Sequence, residues 1–248
     1  MKKHIVFVEL SMTGAGEKAI EYSLKQGYKV GLIVKKQPNI PYLEKIDIYL
    51  CDTNNYEHLL RTVLTINQND KIDGITTTAD FYVPQASFLA QQLNLTSLSY
   101  KAAMSVRNKY MMRKTISVNY QQLNPQFTLA KNILEADKFA SSVGYPLIAK
   151  PQDGNDSLYV QKIEDLKDLE VYFKSFEERR KALNMENSCD SILLESYLDG
   201  EEYTVETINT KDGNIQCIGI LEKYLCGVEY GNFVEIGVGF SLKGEIGN

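Results

Sequence analysis

Residues 145–160 read YPLIAKPQDGNDSLYV, and residues 192–206 read ILLESYLDGEEYTVE. The apolar run Pro146 to Ala149 delivers a lysine, Lys150, and Pro151 and an Asp153-Gly154 turn follow at once. Roughly one helix later, Ile192 to Leu194 delivers Glu195, with Glu202 seven residues on. One ammonium and two carboxylates at strand ends, beside a turn with free backbone N–H groups, make a nucleotide-type arrangement. The ammonium and N–H groups suit phosphates. The carboxylates suit an adenine amino group and ribose hydroxyls, which donate hydrogen bonds.

Upstream, the pattern alternates strand and helix. His4 to Leu10 is a β-rich run broken by Thr13-Gly14-Ala15-Gly16. A helix with Ala19, Ile20, Ser23 and Leu24 on one face follows, with Gly27 as its cap. Lys29–Val34, Ile46–Cys51 and Gly74–Thr78 read as further strands. Leu59, Leu60, Val63 and Leu64 mark one intervening helix, and Val83, Ala86, Leu89, Ala90 and Leu93 another. This rhythm predicts a parallel sheet covered by helices. Tyr100 to about Asn119 reads as one helix, and Asn124-Pro125 as a boundary. From there to Leu194 the pattern predicts a compact α+β block. It has strands around Phe127, at Pro146–Lys150 and at Leu158–Val160, and helices near Glu135–Ser142 and Glu164–Phe173. Glu177 to Asn187 reads as a charged, solvated helix or loop. Glu202–Asn209 and Ile215–Leu221 then form a hairpin about Asp212-Gly213.

Composition narrows the partners. At 248 residues, 44% hydrophobic and 24% charged, the chain can bury a good core in two domains or subdomains. A net charge of -5 without a basic tail argues against nucleic acid. No stretch reaches the length of a membrane span, and MKKHIVFVEL reads as a first strand because Glu9 interrupts its apolar run. Cys51, Cys189, Cys217 and Cys226 are spread too widely for a zinc site or disulfide framework, which points to a reducing cytoplasm. His4 and His58 have no motif-level serine or cysteine partner, which argues against a hydrolase.

Lys150-Pro151, the hinge-like Glu195-Ser196-Tyr197-Leu198, Gly200-Glu201-Glu202-Tyr203, and Asn108-Lys109-Tyr110-Met111-Met112-Arg113 occur in the order and spacing of a known family. The sequence resembles the ATP-grasp superfamily, especially its carboxylate–amine ligases, with a biotin carboxylase-like N-terminal domain. The resemblance implies an α/β fold: a Rossmann-like parallel-sheet domain (1–95), a helical linker (96–123), an ATP-grasp lid (124–194) and a partial ATP-grasp core (195–248). It implies that Lys109, Lys150 and the loop carrying Gly154 and Ser157 hold the phosphates. Glu195, Tyr197 and Leu198 would hold the adenine, and Glu202 the ribose.

Each motif also has a plainer reading. Lys150 can be a solvent-facing strand end. The 152–157 loop, with one glycine where the family often has several, can be an ordinary turn. Glu195 and Glu202 can be surface acids, and Lys109 with Arg113 can be a solvated i, i+4 pair. Gly14, Gly16 and Ala19 resemble a dinucleotide fingerprint, but Lys35 and Lys36 follow the second strand where an acid is wanted, which favours a tight turn. Thr76–Asp80 lies at a strand's carboxyl end, where open sheets place ligands, or simply starts a helix.

The resemblance implies ATP with magnesium, small carboxylate and amine substrates such as amino acids, and amide formation through an acylphosphate; it is compatible with a homodimer. The family's metal ligands lie further along than the hinge. Phe233 to Gly237 resembles the strand and turn before them, and neither Glu222 nor Glu235 is assigned to metal. Two expectations follow: a piece of a longer enzyme, ending at Lys243–Asn248, or a short non-catalytic nucleotide-binding homologue. A nicotinamide oxidoreductase on the N-terminal domain ranks third.

Overall fold

The computed structural model describes residues 2–11, 14–154, 157–182, 190–210, 212–231 and 233–240. Cys189, Asn155, Asp156 and the 243–248 ending discussed above lie outside the described residues. The chain divides into two compact units, Met1–Arg107 and Asn108–Asn248.

In the first unit β1 (His4–Val8), β2 (Lys29–Val34), β3 (Asp47–Leu50) and β4 (Gly74–Thr76) form a parallel sheet in the order β3-β2-β1-β4. Helices α1 (Ala15–Lys25), α2 (Tyr56–Asn69) and α3 (Val83–Gln92) cover it. Val6 and Val8 of β1 pack with Leu59, Val63 and Leu89 from α2 and α3, while Phe7 packs with Ile20 of α1. Both faces are covered, which is why these strands read as continuous apolar runs. Helix α1 ends as expected at Gly27, whose φ of 78° lets its N–H and that of Tyr28 reach the carbonyls of Leu24 and Ser23. At its other end, a Cβ on Gly16 would lie 2.8 Å from Leu10 Cβ, so this glycine serves a tight strand-to-helix approach.

The single helix expected over 100–119 is two: α4 (Tyr100–Arg107) in the first unit and α5 (Lys109–Tyr120) opening the second. Asn108 takes an extended conformation, φ -100° and ψ 110°, and its side chain accepts from Met111 N–H. This is a helix start, and periodicity alone does not display it because apolar spacing continues across the break.

In the second unit β5 (Phe127–Ala130), β6 (Leu147–Pro151), β7 (Gln161–Ile163) and β8 (Ile192–Ser196) form an antiparallel sheet ordered β5-β8-β6-β7. Helices α6 (Ile133–Val143) and α7 (Leu166–Ala182) pack on one face through Ala136, Ala140, Leu169 and Phe173. The strand expected at Leu158–Val160 is instead a turn: Ser157 and Tyr159 have φ of 54° and 60°, and pairing begins only at Gln161. Helix α7 runs well past Phe173, and the segment 183–189 of the predicted charged stretch lies outside the described residues.

A second antiparallel sheet follows, ordered β11-β10-β9, from β9 (Tyr203–Asn209), β10 (Ile215–Cys226) and β11 (Val234–Phe240). The predicted hairpin is present, and β10 extends five residues beyond Leu221. Ile215, Ile236 and Phe240 are exposed on this sheet. The β10–β11 pairing slips by one residue: Tyr224 faces Gly237, but Leu225 faces Glu235, leaving Ile236 as a bulge.

Candidate functional site

Strand alternation builds the site. On β6, Leu147 and Ala149 point to the helices, so Ile148 and Lys150 point to the opposite face. On β8, Ile192 and Leu194 point to the helices, so Leu193 and Glu195 share the face of Lys150. Register places Ile148 directly across from Glu195, and Lys150 one diagonal step away. Helix α5 lies near this face, with Tyr110 against Phe127 of β5 at 5.7 Å in an edge-on arrangement. Arg113, one turn on, reaches Glu195.

Glu195 is 4% exposed and carries two cations. Arg113 Nε donates to Oε1 at 2.7 Å and Nη2 to Oε2 at 3.2 Å, while Lys150 Nζ donates to Oε2 at 2.6 Å. Burial works to raise the Glu195 carboxyl, but the Arg113 hydrogen bonds and the Lys150 charge outweigh it and hold the group below the usual range. The carboxylate is engaged on both oxygens and does not stand free. The solvated i, i+4 reading fails for Arg113, whose side chain is 19% exposed and ion-paired.

The loop after β6 is tied to the start of α5. Gln152 is buried, donates to Ser191 Oγ, and accepts at Oε1 from Asn108 Nδ2. Lys109 N–H donates to the Gln152 carbonyl at 2.8 Å, and Lys109 Nζ donates to the Gly154 carbonyl. The Tyr159 carbonyl accepts from the Tyr172 hydroxyl at 2.7 Å.

Where the second sheet begins, Lys223 of β10 pairs with Glu202 at 2.9 Å and with Glu235 of β11 at 3.2 Å. In plain register Glu235 would face away from Lys223. The bulge puts it opposite Leu225, on the Lys223 side, because a one-residue slip reverses every later side chain. Burial lowers the Lys223 ammonium, but its two carboxylate partners raise it above the ordinary value.

These groups border one cavity of about 730 Å³. All eight residues singled out in the sequence line it: Lys109, Lys150, Gly154, Ser157, Glu195, Tyr197, Leu198 and Glu202. So do Ile148, Val160 and Phe233, which supply an apolar surface beside Tyr197. The Tyr197 ring is 6.5 Å from Phe233 and carries Lys162 Nζ at 4.6 Å over its face. Sequence reasoning left Arg113, Lys223 and Glu235 without roles, yet they line the same cavity. The Lys-x-x-x-Arg spacing was a signal for the first; the bulge hides the other two. Gly14, Gly16 and Thr76–Asp80 belong to the first unit and are not among the lining residues.

A wall of paired cations, an apolar slot and a paired acid thus lie between two antiparallel sheets, and the fold that holds them is similar to known proteins. The profile of the ATP-grasp domain matches residues 143–230. An L-amino acid ligase from Bacillus licheniformis superposes with a TM-score of 0.69 at 23% identity, over 93% of this chain and 51% of that one. N5-carboxyaminoimidazole synthetase from Staphylococcus aureus, solved with ADP, gives 0.70 at 19% identity, over 90% and 56%.

The chain has an ATP-grasp fold.

A D-alanine–D-alanine ligase from Flavobacterium psychrophilum is similar in sequence, 27% identical over 124 residues, which is 50% of this chain and 34% of that protein. The chain thus spans about half the length of those solved ATP-grasp structures, and 36% and 34% of two curated relatives. Among the described residues no group of three or more His, Cys, Asp or Glu is assembled to hold a metal. Glu202 and Glu235 are two carboxylates sharing a lysine, so the described residues do not make a magnesium site. No helix of the described residues is long and apolar enough to cross a membrane.

Proposed function

We propose that this chain carries the nucleotide site of an ATP-dependent ligase that joins a carboxylate to an amine. The observation that carries this reading is the convergence of Lys109, Lys150, Glu195, Tyr197, Leu198 and Glu202 on one cavity. The triphosphate lies by Lys150, Lys109, Gly154 and Ser157, where positive charge stabilises phosphoryl transfer. The adenine enters the slot between Ile148, Tyr197 and Phe233, and Glu202 accepts from a ribose hydroxyl. A substrate carboxylate oxygen attacks the γ-phosphorus and ADP leaves. The amine nitrogen attacks the resulting acylphosphate carbon, phosphate leaves, and the amide forms with loss of a proton. Amino acids are the proposed substrates, by analogy with the ligases of similar fold.

ATP with magnesium should raise the melting temperature of the chain, and ADP should accumulate only when a carboxylate and an amine are both supplied. Binding without ADP release would support the non-catalytic alternative, and no binding by a cooperatively folded sample would overturn the reading. Glu202→Gln should lower the preference for ATP over 2′-deoxy-ATP by about tenfold, the size of one charged hydrogen bond. Equal discrimination by both proteins, read by competition titration, would reduce Glu202 to the Lys223 ion pair.

A further inference from the structure

In the cavity wall three charged groups meet, and only one is acidic. Arg113 and Lys150, with side chains 19% and 14% exposed, share the single carboxylate of Glu195. The formal charge of the trio is therefore one positive unit. The two cations divide the carboxylate unequally. The Arg113 fork covers both oxygens, whereas Lys150 touches only Oε2. A fork-shaped pair of this kind satisfies a carboxylate by itself, and a guanidinium does not lose its proton.

Arg113 is itself braced. Its carbonyl accepts from Asn124 Nδ2 at 2.8 Å and from Ser117 Oγ at 2.9 Å. Its Nη1 lies 3.5 Å from Asn124 Oδ1. Asn124 sits where the chain leaves α5 for β5, so the same residue that ends the helical segment orients the guanidinium.

We propose that Arg113 is a positioning residue that acts as the counter-ion of Glu195 and thereby leaves the Lys150 ammonium as surplus charge for a polyphosphate. Without Arg113, Lys150 and Glu195 would form a neutral pair, and the wall would present no net charge at that point. With Arg113, Lys150 keeps a hydrogen bond that fixes its direction while its charge stays uncompensated. This rests on the nucleotide reading above and adds a residue that never touches the phosphates.

The test compares charge states. The trio carries +1 in the wild type, 0 in Arg113→Met, +1 in Arg113→Met/Glu195→Gln and +2 in Glu195→Gln. Each protein is titrated with inorganic tripolyphosphate and, separately, wild type and Arg113→Met with adenosine. Arg113→Met should lose roughly 10- to 100-fold in tripolyphosphate affinity, the range for one charge-assisted contact. It should change adenosine affinity by less than about threefold, and the double variant should recover most of the loss. A structural role alone would weaken both ligands and give no recovery. Should Arg113→Met fail to fold, Glu195→Gln remains decisive: tighter tripolyphosphate binding than wild type is expected, and unchanged or weaker binding overturns the proposal. A wild type that binds no ATP overturns the nucleotide reading itself. A wild type that binds ATP beside an Arg113→Met variant that binds tripolyphosphate equally well overturns only the role of Arg113.

Discussion

Lys150→Ala is expected to raise the dissociation constant for ATP by about two orders of magnitude, the upper range for a charge-assisted phosphate contact. The variant should fold, because Glu195 keeps both Arg113 hydrogen bonds when Lys150 is removed. The loss therefore reads binding and not collapse. At an ATP concentration about 100 times the wild-type constant, the ligand stabilises the folded chain by about 2.7 kcal/mol. In the variant the same concentration only matches the new constant, and the increment falls to about 0.4 kcal/mol. Lys131→Ala is the control. Lys131 directly follows β5 in the same unit but is 64% exposed and only loosely paired with Asp190 at 3.6 Å. Its replacement should leave the ATP increment unchanged. Equal losses in the two variants would mean that the nucleotide feels overall charge and not this ammonium.

Glu195→Ala should have the largest effect on stability. It leaves Arg113 and Lys150 close together, largely buried, with no carboxylate between them. Breaking a buried ion pair from one side costs about 3–5 kcal/mol. Urea unfolding of the ligand-free protein measures it, and a loss under about 1 kcal/mol would show that the trio does not brace the sheet. The pH dependence supplies an independent check. The Glu195 carboxyl is held below its ordinary value when folded, so protons bind it more tightly in the unfolded chain. Its contribution is fully present above the unfolded value, about 4.3, and is lost as pH falls through the lower folded value. The stability gap between wild type and Glu195→Gln should accordingly close in acid below about pH 4.3, and a gap that widens there would contradict the pairing.

What could be read from the sequence was what alternation and spacing encode. Lys150 and Glu195 end apolar strands, and their neighbours' burial sends them to one face, so a two-residue period sufficed to bring them together. The parallel strands were legible because burial on both faces leaves unbroken apolar runs, as at Lys29–Val34. Asn108 was not legible as a break, because Val106 and Met111 carry the apolar pattern past it while its side chain caps the next helix. Nor was the turn at Ser157 to Tyr159: two non-glycine residues with positive φ have no compositional mark, and Leu158, Tyr159 and Val160 are all strand-favouring types. Arg113 was visible in its motif but not its partner, since an ion pair 82 residues apart in sequence depends on how α5 meets the sheet.

The slip at Ile236 also bears on how such chains should be compared. Residue-by-residue alignment of this hairpin assumes that every position keeps its side, and here one residue breaks that bookkeeping. Deleting Ile236 would restore even pairing and leave Glu235 where it is, opposite Leu225 and on the Lys223 side. In a relative without the extra residue the acid stands next to the partner of Tyr224, so an ungapped alignment sets it one column later, where Ile236 stands in this chain. A one-residue gap at that point therefore keeps the charge on the cavity wall, whereas an ungapped match to an evenly paired strand sets the acid at Glu235 on the opposite face.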